Sequence, residues 1–276
     1  MTLFRSVFDN FVHLRRNGYF LDAANEFKKY GGTSLNIVNF PEYDYPPQQY
    51  YSEIYEETIK VANDVSRLDL HTVTTIGPYP LDYFFFRSAG LDPIESMKNG
   101  IDIAAGLITE GRADAMGEIG FPHFPVEEGI YIDSWKILEY ALDVCHDYDI
   151  PILLHTEDMS AEGYTRIEKT VGYHYRIERV MKHHANAVDL RYSDRILKSL
   201  VASRNNVRAA VESGKYFLLE TDYTDQREKP GKVIPIYSVP KRCEMIKNSW
   251  ENSSEIFHRI FEEVPYKFYR KEFFNP

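Results

Sequence analysis

Val211-Glu-Ser-Gly-Lys-Tyr-Phe-Leu-Leu-Glu-Thr-Asp222 sets a short apolar run between a helix stop and two carboxylates. Its apolar run, Tyr216 to Leu219, follows Ser213-Gly214-Lys215, a helix-stop signal, and breaks off at Glu220-Thr221-Asp222. A short apolar run bounded in this way reads as a strand buried on both faces. Carboxylates at the end of such a strand have no packing role, and burying one is costly unless it is paired, hydrogen-bonded or metal-bound. Three other stretches end alike. Ala113-Asp-Ala-Met-Gly-Glu118 ends on a carboxylate, Ile150-Pro-Ile-Leu-Leu-His155 on an imidazole, and Arg179-Val-Met-Lys-His-His184 on two. Four strand ends bearing one Glu, one Asp and two His point to a divalent-metal site.

Working outward, further strands are expected at 7–13, 34–39, 69–76 and 196–202, the last with a helical alternative. Helical patterns fall at 18–30, 48–65, 92–108, 131–146, within 161–170, and at 206–213. Strands separated by crossovers of a dozen residues or more form parallel βαβ units. Eight of them predict a closed (β/α)8 TIM barrel, with an open doubly wound sheet as the competitor. The barrel is expected over about 7–238 of a single domain. Helices at 240–248 and 254–263 and an aromatic tail, Tyr266 to Phe274, follow it and are expected to pack on it.

The 276 residues carry a formal net charge of −10, and no Lys/Arg block stands out. A broad nucleic-acid-binding surface is disfavoured, whereas a local pocket for a small-molecule or oligonucleotide ester is not. Cys145 and Cys243 lack metal-type spacing and read as free thiols in a reducing compartment. No apolar stretch reaches the ~18 residues of a membrane span, and the N-terminus lacks a signal-like core, so a cytoplasmic location is expected.

Taken singly, the candidate ligands are weak. Glu118 suits a salt bridge as well as a metal, and a lone His such as His155 is more often a core or surface residue. His183 and His184 are neighbours on a strand, so only one can face the barrel mouth. His123 lies in the loop after Glu118, and substrate contact and a purely structural role are equally open to it. The strength lies in the joint placement at strand ends.

Asp9-Asn-Phe-Val-His-Leu14 resembles the Asp-Asn-His-x-His-Leu opening of the TatD-related metal-dependent hydrolases, members of the amidohydrolase-like barrel superfamily. Gly117-Glu-Ile-Gly120, His155, the His183-His184 pair and Glu220-Thr-Asp222 resemble that family's remaining ligand motifs. Gly31-Gly-Thr33, Gly117 to His123, and Glu220 to Tyr223 with Pro230-Gly231 resemble an archaeal-type subgroup of largely uncharacterised function. The resemblance runs from about Phe8 to Pro240. It implies a hydrolase that uses one or two divalent ions (Zn, Mg or Mn) on a phosphodiester or related ester. One ion would be held by the first-strand histidines, Glu118 and Asp222, the other by Glu118, His155 and a later histidine, for which His184 matches best. Glu118 would bridge the ions, and Asp222 would orient the attacking water and accept its proton.

One position departs from the family. Phe11 stands where the first histidine of the His-x-His pair is expected, leaving His13 alone. Residues 11 and 13 share a strand face, so Phe11 should point at the metal site with a side chain that cannot ligate, and weakened activity is expected. The alternatives are a metal- or ligand-binding barrel without turnover, and a lactonase or amidase on the same site.

Overall fold

The computed structural model describes residues 6–156, 159–229 and 233–275. Pro230-Gly231 of the motif above lies outside them. The strands are β1 (Phe8–His13), β2 (Ser34–Val38), β3 (His71–Ile76), β4 (Ala115–Gly120), β5 (Ile152–His155), β6 (Val180–Ala185), β7 (Leu197–Val201), β8 (Leu218–Glu220) and β9 (Tyr223–Thr224). All are parallel, in the order β8-β7-β6-β5-β4-β3-β2-β1-β9.

That order closes a TIM barrel, because only two residues separate β8 from β9, and β9 pairs with β1, Val12 opposite Tyr223 and His13 opposite Thr224. The open-sheet alternative is thereby excluded. The seam between the two is a side-chain bond. Thr221 donates its backbone N–H (2.9 Å) and its hydroxyl (2.7 Å) to the buried Asp9 carboxylate. Asp222 follows in the left-handed region (φ 48°) and separates the two strand segments.

The crossovers are α1 (Leu21–Lys29), α2 (Tyr50–Ser66), α3 (Asp82–Ser88), α4 (Pro93–Thr109), α5 (Glu128–Tyr148), α6 (Ala161–His174) and α7 (Arg204–Ser213). Sequence signals place several of their ends. Asp92 caps α4 by accepting from the Ile94 and Glu95 amides, with Pro93 in the first turn. Ser203 caps α7, which stops at Gly214 in the left-handed region. The short α3 has no counterpart in the sequence reading, because Asp82-Tyr-Phe-Phe-Phe-Arg-Ser88 lacks a helical apolar period. It is anchored instead by Asp82, which accepts from the Tyr79 amide and from the hydroxyls of Tyr43, Tyr50 and Tyr51.

The chain ends with α8 (Ser238–Ser249), α9 (Ser253–His258), a π-helical turn (Arg259–Glu263) and α10 (Val264–Tyr269). The aromatic tail seals the N-terminal end of the barrel. Tyr269 and Phe274 pack edge-on against Phe8, at 5.9 and 4.7 Å between ring centres. Among the described residues, no helix is long and apolar enough to cross a membrane.

Candidate metal centre

Glu118 sits in β4 and His155 ends β5, on neighbouring strands paired through Gly120 and His155. Gly120 is required at that step: its φ is 151°, and a Cβ there would lie 2.0 Å from the His155 carbonyl oxygen. The close approach lets Glu118 Oε2 meet His155 Nδ1 at 2.6 Å and His183 Nε2 at 2.7 Å, while the two ring nitrogens stand 3.0 Å apart. Glu118 and His183 are buried, and His155 is largely so.

Three atoms able to donate lone pairs thus converge on one point. Two imidazole nitrogens so close, on one carboxylate oxygen, repel unless a proton or a cation lies between them. The electrostatics agree. Burial alone would raise the Glu118 carboxyl, but the charges and hydrogen bonds of His183 and His155 outweigh it and hold the group well below the usual range. Burial would lower His183, but the Glu118 carboxylate pushes it up to about 10. Burial lowers His155 despite the same carboxylate. With that proton displaced, the residues fit a divalent cation by geometry: two imidazoles and one carboxylate are a familiar donor set. His155 Nε2, His183 Nδ1 and Glu220 Oε2 are buried without hydrogen-bond partners among the described residues.

His13, at the end of β1, places Nδ1 3.0 Å from the Val38 carbonyl oxygen. Donation there puts the proton on Nδ1 and leaves the Nε2 lone pair facing Glu118 Oε1 at 3.7 Å. Phe11 is fully buried, stacks on His183 at 4.1 Å between ring centres and meets His13 edge-on at 5.1 Å. It fills the volume beside the cluster.

The expectation that His184 joins Glu118 and His155 does not match the geometry; His183 takes that place. The β6–β7 register shifts between Lys182 and Ala185, and His184 sits in the left-handed region (φ 49°). Its side chain turns out to the rim and pairs with Asp222, His184 Nδ1 to Asp222 Oδ2 at 2.6 Å. Asp222, expected beside His13 and Glu118, pairs with His184, and its charge and that of Glu118 both act on the Tyr79 phenol. His123 is exposed, its ring centre 5.6 Å from that of His155.

Two residues at the site escaped the sequence reading. Tyr79, in the loop after β3, lies edge-on to His155 at 5.1 Å; burial and then the Glu118 charge raise its phenol far above the ordinary value. Its only signal was its position just past Gly77-Pro78. Glu220 accepts the His184 amide at 2.7 Å and faces His183 Nδ1 at 3.5 Å. It was read as part of a motif but given no role.

Comparison with known proteins agrees with the fold. A relative described as an uncharacterised protein of Methanocaldococcus jannaschii is 26% identical over 266 residues, covering 93% of each chain. The solved structure of a TatD-like protein from Archaeoglobus fulgidus superposes with a TM-score of 0.59 at 18% identity, covering 91% of this chain and 99% of that one. A D-psicose 3-epimerase from Clostridium cellulolyticum H10, solved with D-tagatose, gives 0.50 at 12% identity, covering 90% and 99%. The profile of one family, described as TatD related DNase, matches residues 8–270, nearly the whole chain. The chain belongs to the TatD-related DNase family.

Proposed function

We propose that this protein is a divalent-metal-dependent hydrolase of phosphodiester or related ester bonds, working with a single ion held by Glu118, His155 and His183. The observation that carries the reading is the convergence of those three donor atoms on one buried point at the C-terminal ends of the strands. An ion bound there supplies Lewis-acid polarisation of the ester and acidifies a water. His13, its tautomer set by Val38, presents Nε2 to the other Glu118 oxygen, Oε1, at 3.7 Å. Asp222 accepts a proton from the attacking water, and His184 orients its carboxylate. Phe11 excludes both a second donor and water from one side, which supports one ion rather than two.

The stack of Phe11 on His183 also favours a second reading, a metal- or ligand-binding barrel without turnover. The test is the metal content of the purified protein, together with activity against phosphodiester, phosphotriester, lactone and amide panels. The proposal expects about one ion per chain, with ion and turnover both lost in Glu118→Gln. An ion without turnover on any panel would favour the second reading. A wild-type protein without an ion would contradict the hydrolase and leave only ligand binding of the second reading.

A further inference from the structure

A cavity of about 220 Å³ opens beside the metal centre, between the ends of β4 and β5 and the start of α6. Phe121, one residue past β4, and Trp135 and Tyr131 of α5 form its apolar wall. Phe121 and Trp135 lie 4.8 Å apart between ring centres. Thr156, next to the candidate ligand His155, and the first two turns of α6 form the other side.

Two features of that lining point to a ligand. First, Trp135 Nε1 and Thr156 Oγ1 are buried with no hydrogen-bond partner among the described residues, and each residue is only 8% exposed. Buried donors left unsatisfied are costly, and native interiors rarely keep them empty-handed. Second, Arg166 lies 4.2 Å over the Trp135 ring, with no carboxylate partner among the described residues. Arg166, itself exposed, reaches the cavity from the 14-residue helix α6, whose start, capped by Ser160 on the Gly163 amide, borders the same space. A guanidinium, two unpaired donors and a helix N-terminus attract an anion, whereas the aromatic wall attracts a flat ring. The volume falls below the ~300–1,000 Å³ of pockets that take whole drug-sized ligands. It suits one ring carrying one anionic group.

We propose that this cavity binds the anionic aromatic end of a small ligand, a ring bearing a phosphate or carboxylate. Used as a substrate subsite it rests on the hydrolase reading; as a binding site it does not.

Binding is tested with phenyl phosphate on the intact protein, in a Trp250→Phe background so that Trp135 alone reports by fluorescence. Saturable quenching is expected, roughly tenfold tighter than for inorganic phosphate or phenol. Thr156→Val and Arg166→Gln should each weaken it roughly tenfold, the scale of a lost hydrogen bond to a charged group. Glu118→Gln should leave it intact, which separates this cavity from the metal centre. Metal binding and turnover with no saturable phenyl phosphate signal would overturn the proposal and spare the hydrolase reading. So would quenching that survives both cavity substitutions or disappears in Glu118→Gln. Quenching that follows the cavity variants, in a protein without turnover, would support the site and count against the hydrolase.

Discussion

The two ends of the barrel both bury polar groups, but in opposite ways. At the foot, Tyr269 donates to Asn10 Oδ1 at 2.7 Å, and Asn36 Nδ2 donates to the Tyr269 hydroxyl at 3.2 Å and to the Asn10 carbonyl at 2.9 Å. Thr75 donates to Asn36 Oδ1 at 2.9 Å, and Asn10 Nδ2 reaches Met181 Sδ at 3.5 Å. Each polar atom of both amides finds a partner. At the mouth, one carboxylate oxygen serves two imidazoles, and a buried nitrogen of each ring has no hydrogen bond among the described residues. A satisfied network serves stability, while a crowded and incompletely satisfied one awaits a ligand.

That contrast predicts that foot variants lower stability without touching metal binding, and mouth variants the reverse. The largest effect is expected from Phe274→Ala. Phe274 is fully buried against Phe8, and its truncation should cost about 3–5 kcal/mol in denaturant unfolding. A loss below about 1 kcal/mol would mean that the tail does not seal the barrel.

A buried charge does not by itself mark a site, and Lys198 makes that point. It is buried in β7, donates to the Ser193 carbonyl and lies 5.0 Å over the Tyr164 ring; burial lowers its ammonium to about 8. Between that value and its unfolded one the unfolded chain binds the extra proton, so folding stability should rise with pH through about 8 to 10. The rise is up to about 1.4 kcal/mol per unit. It should appear as a difference between wild type and Lys198→Met in unfolding measured across that range. Parallel curves would place the Lys198 ammonium in water.

Next comes Tyr269→Phe, which leaves Asn10 and Asn36 short of partners and should cost about 1–3 kcal/mol, with metal content unchanged. The smallest effect belongs to the rim. The His184 side chain is 44% exposed, so breaking its pair in Asp222→Asn should shift stability by less than about 1 kcal/mol while turnover falls by about 10²–10⁴. Unchanged turnover in a folded Asp222→Asn protein would remove Asp222 from the mechanism.

Much of the barrel was legible because its strands are apolar runs that stop at polar residues, a pattern that parallel, doubly buried strands require. Glu118 and His155 were legible as such stops. The choice between His183 and His184 was not. Alternation says that neighbours point apart but not which one points inward, and the register shift in β6 that decides it arises from pairing with β7. The pairing of Asp222 with His184 was not legible for a related reason: the two-residue break between β8 and β9 sets the direction of that side chain. Tyr79 lies in a loop, where no periodicity exists to give its direction. Phe11 could be placed, because its partner His13 lies two residues along the same strand.

Glu118, His155 and His183 are proposed to hold the ion, with His184 outside them. Calorimetric titration of a divalent ion into wild type, His183→Ala and His184→Ala tests this assignment directly. About one site is expected in wild type, lost in His183→Ala and retained in His184→Ala. Retention in His183→Ala with loss in His184→Ala would contradict the assignment.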